Sequence, residues 1–228
     1  MIAQLKNERI LIVVAHPDDE ILGFGGGMAL LSRDNYFKVA ILSGDVDKRK
    51  NKPSKYVLEA DCYKANRLLG VEDIVFGNFE NLNFNNVVHG EMVNWIEEVI
   101  LAFRPTIIIT HHPSDLNNDH FFVSQATQVA SKIGFRKEID FEVKIVAFME
   151  ILSSTDWSIQ NNFAPNCFVE IGKFNLEKKI DAMFKYSGVM RGYPHSRSIE
   201  TITSLATLRG SQSNKLYAEA LQIVYSIF

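Results

Sequence analysis

Two short segments hold most of the side chains able to do chemistry: Ala15-His16-Pro17-Asp18-Asp19-Glu20 and His111-His112-Pro113-Ser114-Asp115-Leu116-Asn117-Asn118-Asp119-His120. His16 and Asp19 stand three apart across the bend set by Pro17. An imidazole and a carboxylate can therefore point at one ion, and zinc accepts that mixed nitrogen and oxygen set. His120 can supply a third ligand if the two segments lie side by side. Three protein ligands leave a fourth position open, the composition of a catalytic zinc site, whereas a structural site is closed by four. Taken alone, the first segment is equally readable as a turn with an N-capping aspartate, and the second as a polar loop whose proline ends a strand. The metal reading rests on their joint placement.

That placement depends on the elements around them. Each segment directly follows a β-branched run, and strands are expected over residues 10–14, 39–42, 74–76 and 106–110, with amphipathic stretches between. This is the pattern of βαβ units and a parallel sheet. In such a sheet ligands bind outside the carboxyl ends of the strands, and a helix starting there directs free N–H groups and a positive dipole end at the site. A helix over residues 54–69 has Ser54 as N-cap and Gly70 just past its end. Another, over 90–103, is closed by Pro105, whose ring disfavours helix at Arg104. The run 106–110 reads as a strand buried on both faces. Beyond residue 140 the pattern predicts strands over 143–148 and 167–171 and helices over 175–184 and 198–209, and leaves 217–228 open between the two types. No repeat, low-complexity tract or Pro/Gly-rich linker divides the chain, so residues 1–228 are expected to form a single α/β domain with a mainly parallel sheet between helices. Loops 77–88 and 151–164 are long enough to be functional.

Composition narrows the classes of partner. With 228 residues and 46% hydrophobic composition the chain can bury one sizeable core. Its 24 basic and 27 acidic side chains leave a net charge of -3, so no overall field favours nucleic acid. No apolar run reaches the roughly 18 residues of a spanning helix, and the N-terminus enters a strand pattern without a signal-peptide cleavage site. The expectation is a cytoplasmic protein with no membrane insertion. Its two cysteines, Cys62 and Cys167, fit buried thiols in a reducing compartment and exclude a thiolate metal site by count. Homo-oligomerisation stays open. The glycines at 23 and 25–27 do not complete a dinucleotide loop, since the third glycine of that pattern falls on Met28; they read as close helix packing. His89 reads as an exposed or capping side chain. Residues 48–55 are basic and read as a solvated loop before a substrate contact. Around Pro194, Arg191, Tyr193, His195 and Arg197 can grip a phosphate or sugar hydroxyls, with surface salt bridging as the equal alternative.

The two segments, with the turn 43–45, the helix ending Leu68-Leu69-Gly70 and the late stretches 191–198 and 209–220, resemble the LmbE / PIG-L family of zinc-dependent N-deacetylases over most of the chain. The resemblance implies a Rossmann-like fold and one zinc ion per chain, held by His16, Asp19 and His120. It also implies Asp18 as the general base on water and an N-acetyl amino sugar, free, nucleotide-linked or glycoside-linked, as the small-molecule substrate. One departure stands out: many members carry HPDH where this chain has Asn117-Asn118-Asp119-His120. Asn117 thus replaces a histidine assigned as acid or oxyanion stabiliser, and an amide can donate a hydrogen bond but cannot deliver a proton. His112, His111 and His195 are the candidates for that proton. His112 stands first because it follows the fourth strand and is expected to face the crevice, and His195 second. The rival readings are a zinc amidase acting on another amide conjugate and a non-catalytic Rossmann-like protein that holds a sugar nucleotide; mere binding would need no base beside the metal.

Overall fold

A computed structural model describes residues 5–43, 54–159 and 162–227. Strands β1 (Arg9–Val14), β2 (Tyr36–Ile41), β3 (Asp73–Phe76), β4 (Ile107–His111) and β5 (Ile145–Met149) run parallel. Two more strands, β6 (Cys167–Glu170) and β7 (Ala218–Ser226), complete a seven-stranded sheet of order β3-β2-β1-β4-β5-β7-β6, with β7 antiparallel to both of its neighbours. The segment left open by the sequence is therefore a strand. Its first four residues are all buried and its last three exposed, so it carries no period-2 signature.

Alternation along the strands makes two cores. Ile10, Ile12, Val14 and Ile41 face helices α1 (Asp19–Leu31), α2 (Lys55–Leu68), α5 (Gly172–Met183) and α6 (Ile199–Gln212). Leu11, Val13, Leu42 and Ile108 face α3 (His89–Phe103) and α4 (Asn118–Ala130). Both faces of the sheet are thus covered, which accounts for the near-continuous apolar runs. Several boundaries have the expected causes. Gly70 takes φ 81 after α2, and Arg104 takes φ 57 just before Pro105. Ser198 Oγ accepts the Thr201 N–H at 3.1 Å at the start of α6. Ser54 holds the N-cap position of α2, but its hydroxyl makes no capping bond. His89 is the exposed first residue of α3.

Helix α1 breaks at Phe24, where φ is -143 and ψ is 23. The freed N–H groups of Gly26 and Gly27 donate to Glu219 of β7 at 3.0 and 2.7 Å, and Lys179 of α5 neutralises that carboxylate at 2.6 Å. A Cβ on Gly26 would lie 2.7 Å from Ile171 Cδ1, so the glycines do serve close packing. Residues 48–53 of the basic segment and most of the turn 43–45 lie outside the described residues. Among the described residues no helix is long and apolar enough to cross a membrane.

The strand order reverses between β1 and β4: β2 and β3 follow β1 on one side, β5 follows β4 on the other. A crevice opens at such a switch point, outside the carboxyl ends of the two strands. Pairing of Ile10 with Ile107 through Val13 with Thr110 brings the two sequence segments together there.

Candidate metal centre

The turn after β1 is fixed by its own polar groups. The His16 N–H donates to Asp19 Oδ2 at 3.0 Å, and the Ala15 N–H donates to His111 Nε2 at 2.9 Å, tying the end of β1 to the end of β4. Asp18 is the N-cap of α1 and takes φ 102, a left-handed value that costs a non-glycine residue about 1–3 kcal/mol and persists only where its surroundings impose it. Across the crevice the loop is held by Asp115 Oδ1, which accepts the Asn117 N–H at 2.8 Å. Asn117 Oδ1 in turn accepts the Asp119 N–H at 3.0 Å and caps α4. His120 then falls in the first turn of that helix.

Three side chains converge. Asp19 Oδ2 lies 3.3 Å from His16 Nδ1 and 3.1 Å from His120 Nε2, all three residues are buried, and one ligand atom from each lies within 4.8 Å of the others. Each imidazole is gripped by a carboxylate at its far nitrogen: His16 Nε2 by Asp119 at 2.9 Å, His120 Nδ1 by Asp115 at 3.1 Å. Asp119 is itself fixed by the N–H groups of Leu82 at 2.7 Å and Phe84 at 3.3 Å. Asp115 is fixed by the hydroxyls of Ser154 at 3.0 Å and Thr155 at 2.7 Å. Carboxylates so placed orient metal-ligating histidines and make them more basic. His120 Nε2 is buried and makes no well-aligned hydrogen bond, with Asp19 Oδ2 as its charged neighbour at 3.1 Å, as two ligands of one cation would stand. The residues present therefore fit a zinc-type ion. His111, Asp115 and His120 also come close enough to be considered as a set. In that set, however, His111 Nε2 already accepts the Ala15 N–H and Asp115 is engaged by two hydroxyls, so the first set is the better one.

The protonation of the cluster follows from its burial and charges. Burial opposes the charged form of His120, but Asp19 and Asp115 outweigh it and push its pKa up to about 10. His16 is likewise raised: its bonds to Asp119 and Asp19 overcome the desolvation. Asp19 is also desolvated, yet His120, His16 and His111 hold it well below the usual carboxylate range. Burial and the neighbouring charge of His120 drive His111 down to about 3, so it is neutral and stacks on the His120 ring at 3.9 Å between centroids. Burial drives Glu20 up to about 7 against the bonds from Tyr186 and Asn66.

The remaining sequence candidates are distributed differently. Asp18 Oδ2 accepts a hydrogen bond from Arg197 Nη1 at 2.8 Å, a contact the sequence did not suggest. Asn117 and Arg197, with Leu82, Leu116, His120 and Ser154, line a cavity of about 360 Å³ over the cluster. Arg191 and Tyr193 are exposed on the same loop as Arg197, and His195 Nδ1 accepts the Arg197 N–H at 3.0 Å. His112 is not among the three converging side chains. Its ring lies edge-on to Phe148 and Phe163, on the β5 side, and its Nδ1 meets the Ser114 hydroxyl at 2.8 Å. β4 extends through His111, one residue further than expected; His111 Nε2 meets the N–H of Ala15, just past β1, while His112 packs against Phe148 of β5. Sequence reasoning assigned no role to Asp115, Asp119, Glu20 or Tyr186; the only signal was the density of acids beside His120.

The fold and this site define an α/β protein built around a candidate single-ion centre at a sheet switch point. A family model described as PIG-L, GlcNAc-PI de-N-acetylase, matches residues 11–131, and the chain belongs to this deacetylase family. It is 25% identical over 140 residues to the uncharacterised deacetylase YaiS of Escherichia coli K12, covering 56% of this chain and 70% of that protein. Among solved structures it is similar to N,N'-diacetylchitobiose deacetylase of Pyrococcus horikoshii, with TM-score 0.73, 16% identity and coverage of 96% and 84% of the two chains. It is also similar to GalB, the 4-carboxy-2-hydroxymuconate hydratase of Pseudomonas putida KT2440, with TM-score 0.78, 21% identity and coverage of 97% and 98%. One fold thus carries both a deacetylase and a hydratase, and the likeness to these structures establishes the architecture alone.

Proposed function

We propose that the protein is a zinc-dependent hydrolase that removes an N-acetyl or related acyl group from an amino sugar or amino-sugar conjugate, with the ion held by His16, Asp19 and His120. The observation that carries this reading is the paired carboxylate-histidine arrangement, which leaves His120 Nε2 buried and facing Asp19 Oδ2 at 3.1 Å. Zinc bound there supplies Lewis acidity for the amide carbonyl and makes water more acidic. Asp18, at the mouth of the cluster, accepts the proton of the attacking water. Asn117 uses its Oδ1 on the helix cap and so turns its NH₂ to the oxyanion as a donor. Arg197 holds the Asp18 carboxylate and, with Arg191 and Tyr193 on the same loop, meets the polar groups of the sugar.

Neither histidine kept as a proton donor suits that task in this arrangement. His112 is turned to the β5 side, and burial with the charges of Arg191 and Arg197 lowers the pKa of His195 and keeps it neutral at pH 7. Asp18, protonated by the attack, returns the proton to the departing amine. Amide hydrolysis is preferred to hydration because the family model is that of a de-N-acetylase. The two free cysteines fit a reducing compartment such as the cytoplasm. Asp18→Asn separates the roles. It retains the metal and lowers kcat roughly 10²- to 10⁴-fold, whereas His16→Ala and His120→Ala lose metal and activity together. Metal loss in Asp18→Asn with near-normal turnover after reconstitution would exchange the parts of Asp18 and Asp19.

A further inference from the structure

The segment between α5 and α6 reaches Asp18 by two routes, one direct and one through Glu20. At its far end Arg197 holds the Asp18 carboxylate at 2.8 Å. At its near end Tyr186, buried just past α5, donates its hydroxyl to Glu20 Oε1 at 2.5 Å, and Asn66 of α2 donates to the same oxygen at 2.8 Å. The other oxygen of Glu20 accepts the backbone N–H of Asp18 at 3.1 Å. Ser187 anchors this segment to α2, its N–H and hydroxyl donating to Asp61 Oδ2 at 3.1 and 2.9 Å. All three hydrogen bonds named at the Glu20 carboxylate come from donors, and one of those donors is the amide of the residue with φ 102.

From this geometry we infer that Tyr186 is a positioning residue for the reaction: through Glu20 it holds the Asp18 backbone in its left-handed conformation, which aims the Asp18 carboxylate at the crevice and at Arg197. The inference rests on the reading of Asp18 as the base. Tyr186 touches neither substrate nor metal ligand; its effect passes through one carboxylate and one amide. Removing its hydroxyl leaves that Glu20 oxygen to Asn66 alone, which lets the carboxylate shift, loosens the Asp18 N–H bond, and lets Asp18 relax toward a commoner backbone conformation with its carboxylate displaced.

The test uses the full chain with Tyr186→Phe, Asp18→Asn and the double variant. Tyr186→Phe is expected to keep full metal content and a KM within about twofold, and to lower kcat about tenfold, less than the roughly 10²-fold that a misplacement of about 1 Å can cost. In the Asp18→Asn background the same change costs nothing further, because its effect runs through Asp18. In metal-free protein, amide exchange at Asp18 speeds up in Tyr186→Phe while that of Leu22, whose N–H bonds the Asp18 carbonyl, stays as it was. Equal losses from Tyr186→Phe with and without Asp18→Asn, or unchanged exchange at Asp18, would overturn the inference and leave Tyr186 a packing residue. Normal turnover in Asp18→Asn itself would instead sink the assignment of the base. If Tyr186→Phe does not fold, Asn66→Ser, which removes the second donor to the same Glu20 oxygen, is carried through the same cycle with the same expectations.

Discussion

Replacing Asp119 with asparagine changes one charged oxygen into an amide and tests whether the outer carboxylates build the metal site. Asp119 Oδ2 meets His16 Nε2 at 2.9 Å and the Leu82 N–H at 2.7 Å, while Oδ1 takes the Phe84 N–H at 3.3 Å. The asparagine keeps its oxygen toward His16 and Leu82, which sets its NH₂ against the Phe84 N–H. Two effects follow. A charge-assisted bond to the imidazole becomes a neutral one, a loss of about 1–2 kcal/mol, and removing such a partner of a ligating histidine weakens metal binding about 10- to 100-fold. The Phe84 N–H loses its acceptor; because that bond is long, the low end of the unsatisfied-group penalty applies, about 1 kcal/mol, or roughly 3 °C in Tm for a domain of this size. Competition titration against a chromophoric chelator gives the metal Kd, and a thermal melt of metal-free protein gives the stability. A Kd within threefold of the parent protein, with Tm unchanged, would show that Asp119 does not orient His16 and would remove the main support for His16 as a ligand.

Three further outcomes are expected. Metal binding at pH 7 should release about one proton or more, since His120 is held protonated in the metal-free site and must deprotonate to ligate, and the raised pKa of His16 adds to the release; apparent affinity therefore climbs with pH. Calorimetry in buffers of differing ionisation enthalpy measures this, and zero release contradicts it. Lys179→Met strands the Glu219 charge inside the protein, at a cost of roughly 3–5 kcal/mol for a broken buried pair and about 10 °C in Tm; an unchanged melt would mean that Gly26 and Gly27 hold the carboxylate unaided. His112→Ala and His195→Ala should each leave kcat within about threefold, whereas a loss of 10²-fold or more in either would return the proton-donor role to that histidine.

What could be read from the sequence had local causes. The β-branched runs of β1 and β4 are buried on both faces, and Gly70 and Pro105 mark helix ends by their backbone chemistry, so the parallel half of the sheet was legible. The meeting of His16, Asp19 and His120 was legible because the first two directly follow β1 and the third opens the helix after the loop that leaves β4. The pairings across the chain were not. Nothing local says that Asp119 meets His16, that Arg197 reaches Asp18, or that Tyr186 reaches Glu20. His111 and His112 adjoin in sequence, yet one meets the Ala15 N–H and the other packs on Phe148 and Phe163, a difference no local pattern announced. β7 was hidden by its own burial: Ala218 to Leu221, Glu219 included, show no solvent-facing side because β5 and β6 flank them and α1 packs on them.

The central claim is that His16, Asp19 and His120 form one metal site that serves amide hydrolysis. Elemental analysis of protein purified without chelator or affinity tag, followed by stripping, reconstitution and an acetate-release assay over N-acetyl amino sugars, tests it most directly. The account predicts about one zinc-type ion per chain, activity abolished by stripping and restored with the ion, and acetate released from at least one such sugar. Protein that carries no metal and stays inert with added zinc, cobalt or iron(II) would contradict it.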